Sequence, residues 1–217
     1  MKNNKDIMWG VGIMLVVIAG LFLLASSDAK KSTQDETVLN TSDTSLGWTK
    51  GNSEATTTLV EYSDFQCPAC GLYYPFIKQL NEEFGDQMQF TYRHFPLRQI
   101  HRNSEPAARA AEAAGKQGKF WEMHDLLFEN QSVWTDSNDV EGDFEAYANQ
   151  LGLNVEQFKT DRDSKATREK INADYQSGIA AGVNSTPTFF LNGTKIINPR
   201  NYDEFKSVIT QALATEL

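Results

Sequence analysis

The chain has 217 residues, 40% hydrophobic and 23% charged, and carries a net charge of −9 with a pI near 4.9. That length suits one domain, or one domain with an insertion, and the composition can bury a full core. The acidic balance and the lack of a basic cluster argue against nucleic acid as a partner.

Residues 7–25, IMWGVGIMLVVIAGLFLLA, carry no charge. At ~1.5 Å per residue they reach ~28 Å, about one hydrocarbon core. Lys2 and Lys5 precede them, as cytoplasmic flanks do. The expectation is an uncleaved membrane anchor over 1–25. A signal peptide cleaved near Ala25 is the alternative, although its apolar run would be shorter. Either reading exports the rest of the chain. Residues 26–50 are rich in Ser, Thr, Asp, Asn and Lys, with isolated Val38, Leu39, Leu46 and Trp48, and read as a flexible linker.

A first apolar strand holds Leu59, Val60 and Tyr62. It gives way at residues 61–70, EYSDFQCPAC, to a helical pattern in which Leu72, Phe76, Leu80 and Phe84 recur every four residues. Cys67 and Cys70 are the only cysteines in the chain. Pro68 suits a first helical position, which puts Cys67 at the helix start and Cys70 one turn inside. Pro75 falls within the helical stripe, where it should kink the helix. Residues three apart in a helix have Cα atoms ~5 Å apart, within the range a disulfide tolerates, so the pair can open and close with little backbone movement. The helix start also favours a thiolate on Cys67. Ala69 offers no donor of its own, so the expected shift is moderate. A structural disulfide closing so short a loop would stabilise little. Zinc needs two further ligands, and His94, His101 and His124 fit no ligand spacing. A redox pair is the favoured reading.

Met88–Phe95 reads as a second strand. A helical block follows: a start at Ser104-Glu105-Pro106, a stripe from Phe120 to Phe128, another from Phe144 to Leu151, a short helix capped by Asn154, and a helix carrying Ile171, Tyr175 and Ile179. His124 lies on an apolar stripe and reads as a core histidine. Residues 186–191 and 194–197 flank Asn192-Gly193, a strong hairpin signal. Asn201 with Glu204 opens the last helix.

Four segments, VEYSDFQCPAC, YRHFPL, QGKFWEMHDLLF and STPTFFLNG, resemble the extracytoplasmic DsbA-like thiol–disulfide oxidoreductases over roughly residues 48–217. The resemblance implies an α/β chain: a thioredoxin fold at 51–217 with a helical insertion at about 98–165, preceded by the transmembrane helix and the linker. It implies that Cys67 is the exposed, attacking cysteine and Cys70 the buried, resolving one. It implies a cis Pro187 against the disulfide, with Thr186, Pro68 and Ala69 meeting the substrate; proline at a strand start is tolerated in either isomer, so the residues alone leave this open. Glu61 matches an acidic residue that the family places beneath the active-site helix for proton transfer; an ordinary exposed strand charge is the alternative. Family members often carry His or Tyr where this chain has Ala69, and Gly where it has Asn184-Ser185.

The expected activity is the introduction of disulfides into exported proteins, by a monomer that needs no cofactor and passes electrons to a DsbB-like or VKOR-like quinone-linked membrane oxidase. A reductase or isomerase using the same site is one alternative. A non-catalytic, membrane-tethered peptide-binding module is another.

Overall fold

Strand β2 (Thr57–Ser63) is the axis of the molecule. The computed structural model describes Leu39 and residues 46–215. The expected anchor at 7–25 and most of the expected linker lie outside the described residues. Among the described residues no helix is long and apolar enough to cross a membrane.

The sheet has five strands in the order β1-β3-β2-β4-β5, with β1 Trp48–Gly51, β3 Met88–His94, β4 Thr188–Leu191 and β5 Thr194–Lys195. β2 runs parallel to β3 and antiparallel to β4, while β1 pairs antiparallel with β3. Successive side chains on a strand point to opposite faces. Leu59, Glu61 and Ser63 therefore share one face of β2, and Val60 and Tyr62 the other. Leu59 joins the larger core with Cys67, Cys70, Ile77, Leu80 and Phe189. Val60 and Tyr62 join a second core with Phe95, Val183 and Phe190. Both faces are thus covered, which accounts for the near-continuous burial of β2.

Helix α1 (Pro68–Phe84) lies on the first face. Cys67 is its N-cap and Pro68 its first residue, and the helix continues past Pro75. The buried positions are Cys70, Ile77, Leu80 and Phe84. Leu72, expected on that face, is 73% exposed. Leu80 and Phe84 are buried as the spacing predicts, but nearer the helix start the buried face runs through Cys70 and Ile77 rather than Leu72 and Phe76.

Between β3 and β4 come α2 (Ser104–Gly115), α3 (Phe120–Glu129), α4 (Gln131–Trp134), α5 (Val140–Gln150), α6 (Val155–Arg162) and α7 (Lys165–Ala180). Asn154 caps α6 by accepting from Gln157 N at 3.0 Å, and Ser164 caps α7 from Thr167 N at 3.2 Å. The α4 turn is too short to leave a periodic signal. The β4–β5 hairpin turns on Asn192 and Gly193, at φ 48° and 80°. Asn201 caps α8 (Tyr202–Ala214) by accepting from Glu204 N at 2.9 Å.

The expected linker to residue 50 is shorter at its C-terminal end. Trp48–Gly51 form β1, and the Trp48 ring stacks on Phe120 at 4.6 Å. Leu39 is also buried, and its N–H donates to the Gly193 carbonyl at 2.8 Å. Isolated apolar residues in a polar stretch look like a linker. Here Trp48 belongs to the edge strand β1, and Leu39 packs into the second core.

Candidate redox site

The loop from β2 into α1 is held from three sides before it reaches Cys67. Asp64 accepts from Gln66 N at 2.8 Å, Leu97 N at 2.9 Å and His101 Nδ1 at 2.7 Å. The Gln66 side chain accepts from Asn103 N at 2.6 Å and donates to the Thr135 carbonyl at 3.1 Å. Gln131 Nε2 donates to the Phe65 and Cys67 carbonyls at 2.7 and 2.9 Å. Phe65 is buried and stacks on Tyr92 at 5.0 Å. The helical block therefore grips the backbone that presents the cysteine.

Cys67 and Cys70 are free thiols. Cys67 is 6% exposed and Cys70 fully buried. The expected exposed nucleophile has only a narrow window to solvent, because the Thr186 carbonyl lies 3.4 Å from its Sγ and accepts the thiol proton. Pro68 is exposed, Ala69 half-buried, and Thr186 and Pro187 are buried. The Thr186–Pro187 bond is cis. Thr186, which opens the cis bond, thus meets Cys67 at the N-terminus of α1.

The Cys67 pKa falls to about 5. The Cys70 thiol, donating to the Cys67 sulfur, is the main cause; burial opposes it, and the Thr186 hydroxyl and the backbone N–H groups of Cys70 and Ala69 add to it. The shift exceeds the moderate one expected from the helix start and Ala69, because its largest donor is the second cysteine. The Cys70 thiol is pushed well above its ordinary value, first by burial and then by the Cys67 sulfur. The two cysteines are therefore electrostatically unequal.

Glu61 is 4% exposed and lies on the α1 face of β2, opposite Tyr92 on β3 and Phe189 on β4. Burial raises its pKa to about 7. The Ser63 hydroxyl and the Lys50 charge oppose the shift, although the hydroxyl makes no hydrogen bond of good geometry. Lys50 comes from β1, half-buried over the Trp121 ring at 4.3 Å. Its pKa is lowered by burial. Sequence reasoning missed Lys50 and Gln131: one sat inside the supposed linker, the other in the unseen α4.

The three histidines serve the frame. His124 is buried among Phe65, Tyr74, Tyr92 and Phe128, and burial lowers its pKa to about 4 despite Asp125 at 2.9 Å. His94 Nε2 pairs with Glu112 at 3.0 Å. His94, Glu112 and Asp174 are the one group among the described residues with metal-ligand spacing. Its carboxylates already accept from protein donors: Trp48 Nε1 on Glu112, and Lys170 Nζ, Gly47 N and His94 N on Asp174. A lysine ammonium in that cluster fits a buried ion-pair network better than a cation site.

A strand, a helix-capping cysteine with a second cysteine one turn in, and a facing proline loop define an enzyme of the thiol–disulfide oxidoreductase class. A family model described as thioredoxin matches residues 43–211, and the chain belongs to that family. Among solved structures it is similar to BdbD from Bacillus subtilis in its oxidised form, with 25% identity, a TM-score of 0.65, and coverage of 78% of this chain and 94% of that one. It is also similar to alpha-DsbA1 from Wolbachia pipientis, with 22% identity, a TM-score of 0.68, and coverage of 77% and 90%, a likeness of fold. A Na(+)/H(+) antiporter NhaA 1 from Salinispora arenicola is 36% identical over 165 residues, which are 76% of this chain and 24% of that one. The chain thus spans about a quarter of the length of the curated relatives it matches.

Proposed function

We propose that the protein is an extracytoplasmic oxidoreductase that introduces disulfides into exported proteins through Cys67 and Cys70. The observation that carries this reading is the inequality of the pair: a Cys67 thiolate stabilised at the helix cap, backed by a fully buried Cys70. A client thiolate attacks Cys67 Sγ of the oxidised pair, forming a mixed disulfide and releasing Cys70. A second client thiolate attacks the client sulfur and releases Cys67. The client loses two electrons and the pair gains them. A stabilised Cys67 thiolate is a good leaving group and favours the reduced protein, which makes the disulfide oxidising.

Thr186, Pro187, Pro68 and Ala69 border the sulfur that a client must reach. Exposed Leu72 and Val133 offer apolar surface on α1 and α4. Glu61 exchanges the Cys70 proton. No organic or metal cofactor enters the exchange. A quinone-linked membrane thiol oxidase removes the electrons, and the apolar stretch at 7–25 holds the domain at the membrane.

Trapping separates this reading from a binding module. Cys70→Ser should accumulate mixed disulfides through Cys67, because the internal thiol that would release them is gone. Cys67→Ser should accumulate few. Equal trapping by both variants would show that the two cysteines have no distinct roles, and no trapping by either would favour the binding module.

A further inference from the structure

We propose that Ser63 is a catalytic proton relay between Cys70 and Glu61, a role that rests on the dithiol reading above. Ser63 is 1% exposed, and its Oγ has no hydrogen-bond partner among the described residues. A buried hydroxyl without a partner calls for a physical reason. Ser63 shares the α1 face of β2 with Glu61, two residues away. On that face Glu61 stands opposite Tyr92 of β3, and Cys70 and Tyr92 are buried in the core the face covers; the Ser63 hydroxyl biases the ionisation of Glu61, Cys70 and Tyr92. The Tyr92 hydroxyl is likewise buried and unpartnered.

A hydroxyl donates one proton and accepts others, so it can pass a proton on without becoming charged. When a client thiolate attacks Cys67, the S–S bond breaks and its electron pair goes to Cys70 Sγ. The Ser63 proton moves to that sulfur while the Glu61 carboxyl proton moves to Ser63 Oγ. The net change is Glu61 carboxyl plus Cys70 thiolate to Glu61 carboxylate plus Cys70 thiol. Ser63 ends as it began. When Cys70 later attacks a mixed disulfide at Cys67, the same path runs in reverse.

The relay is suited to this place because Cys70 is the thiol least able to stay charged. Burial and the Cys67 sulfur both oppose its thiolate, and the Ser63 hydroxyl favours it. The charged and titratable groups facing Glu61 are Lys50 from β1, Tyr92 from β3, and Cys67 and Cys70 from α1. On β4 the facing residue is Phe189, which does not titrate.

The test is the rate at which Cys70 resolves a mixed disulfide between Cys67 and glutathione, followed from about pH 5 to 9 in the full chain. Ser63→Ala should slow resolution at least about tenfold near pH 7. It should also flatten the rise in rate around the Glu61 midpoint, while Cys67 of the separately prepared reduced protein still titrates near 5. Ser63→Thr, which keeps the hydroxyl, should restore most of the rate. A wild-type rate in Ser63→Ala beside a slow Glu61→Gln would overturn the relay and leave Glu61 its role. Equal slowing by Ser63→Ala and Ser63→Thr would also overturn it, since packing alone would then explain the loss. Wild-type rates in both Ser63→Ala and Glu61→Gln would remove Glu61 as well. Failure of the wild-type chain to form the mixed disulfide at all would overturn the dithiol reading itself.

Discussion

Cys67 Sγ lies 3.4 Å from the Thr186 carbonyl oxygen, so two residues 119 positions apart in sequence share one edge of the site. The contact holds only while Cys67 keeps its proton, because a thiolate has nothing to donate. Ionisation or oxidation of Cys67 therefore removes this donor from the Thr186 carbonyl.

Cys67 should ionise far below an ordinary cysteine. Ultraviolet thiolate absorbance of the reduced protein should show a midpoint near 5, and alkylation at about pH 6 should label Cys67 well before Cys70. Cys70→Ala removes the largest cause of the shift and should move that midpoint up towards the ordinary range. A pKa depressed in the folded state adds stability that is complete above the unfolded value, 9.0, and lost as the pH falls through about 5. The reduced protein should therefore gain stability relative to the oxidised one as the pH rises from 5 to 9. Faster labelling of Cys70, or a midpoint unmoved by Cys70→Ala, would contradict the assignment.

Glu61 acts in the opposite sense. Its pKa is raised from 4.5 to about 7 by burial, so its protonated form suits the fold and its charge does not. The contribution is complete below about 4.5 and lost as the pH rises through about 7. Glu61→Gln should gain stability over the wild type across that window, by an amount on the order of a few kcal/mol at its upper end. Denaturant unfolding at several pH values reads this directly. A difference that stays flat with pH would mean that Glu61 does not titrate in this window.

Much of this was legible in the sequence because the chemistry is local. The position of Cys67 at the start of α1 follows from the strand, the proline and the helical stripe, all within 30 residues, and Asn154 and Asn201 declared their caps by residue type. What was hidden depends on distant partners. Lys50 reaches Glu61 only because β1 pairs with β3. Gln131 reaches the Cys67 carbonyl only because α4 folds back onto the loop. Leu72 was misplaced because a four-residue spacing does not say which flank of the stripe faces the sheet, and Leu39 was missed because burial against the Gly193 backbone leaves no periodic trace.

Lys50 supplies a third prediction. Its charge lowers the Glu61 pKa from β1. Lys50→Met keeps the stem that lies over the Trp121 ring and deletes the charge. The Glu61 midpoint, followed by carboxyl NMR, should rise above 7. An unchanged or lower midpoint would show that the pair does not interact.

The reduction potential of the Cys67–Cys70 couple, measured against glutathione, tests the central claim most directly. A Cys67 pKa near 5 falls between the ~7 of thioredoxin and the ~3.5 of DsbA. The potential should accordingly fall between about −270 mV and about −120 mV, the values of those two proteins. A couple in that interval can take electrons from client thiols. A value at or below about −270 mV would contradict the oxidase account and assign the same two cysteines to a reductase.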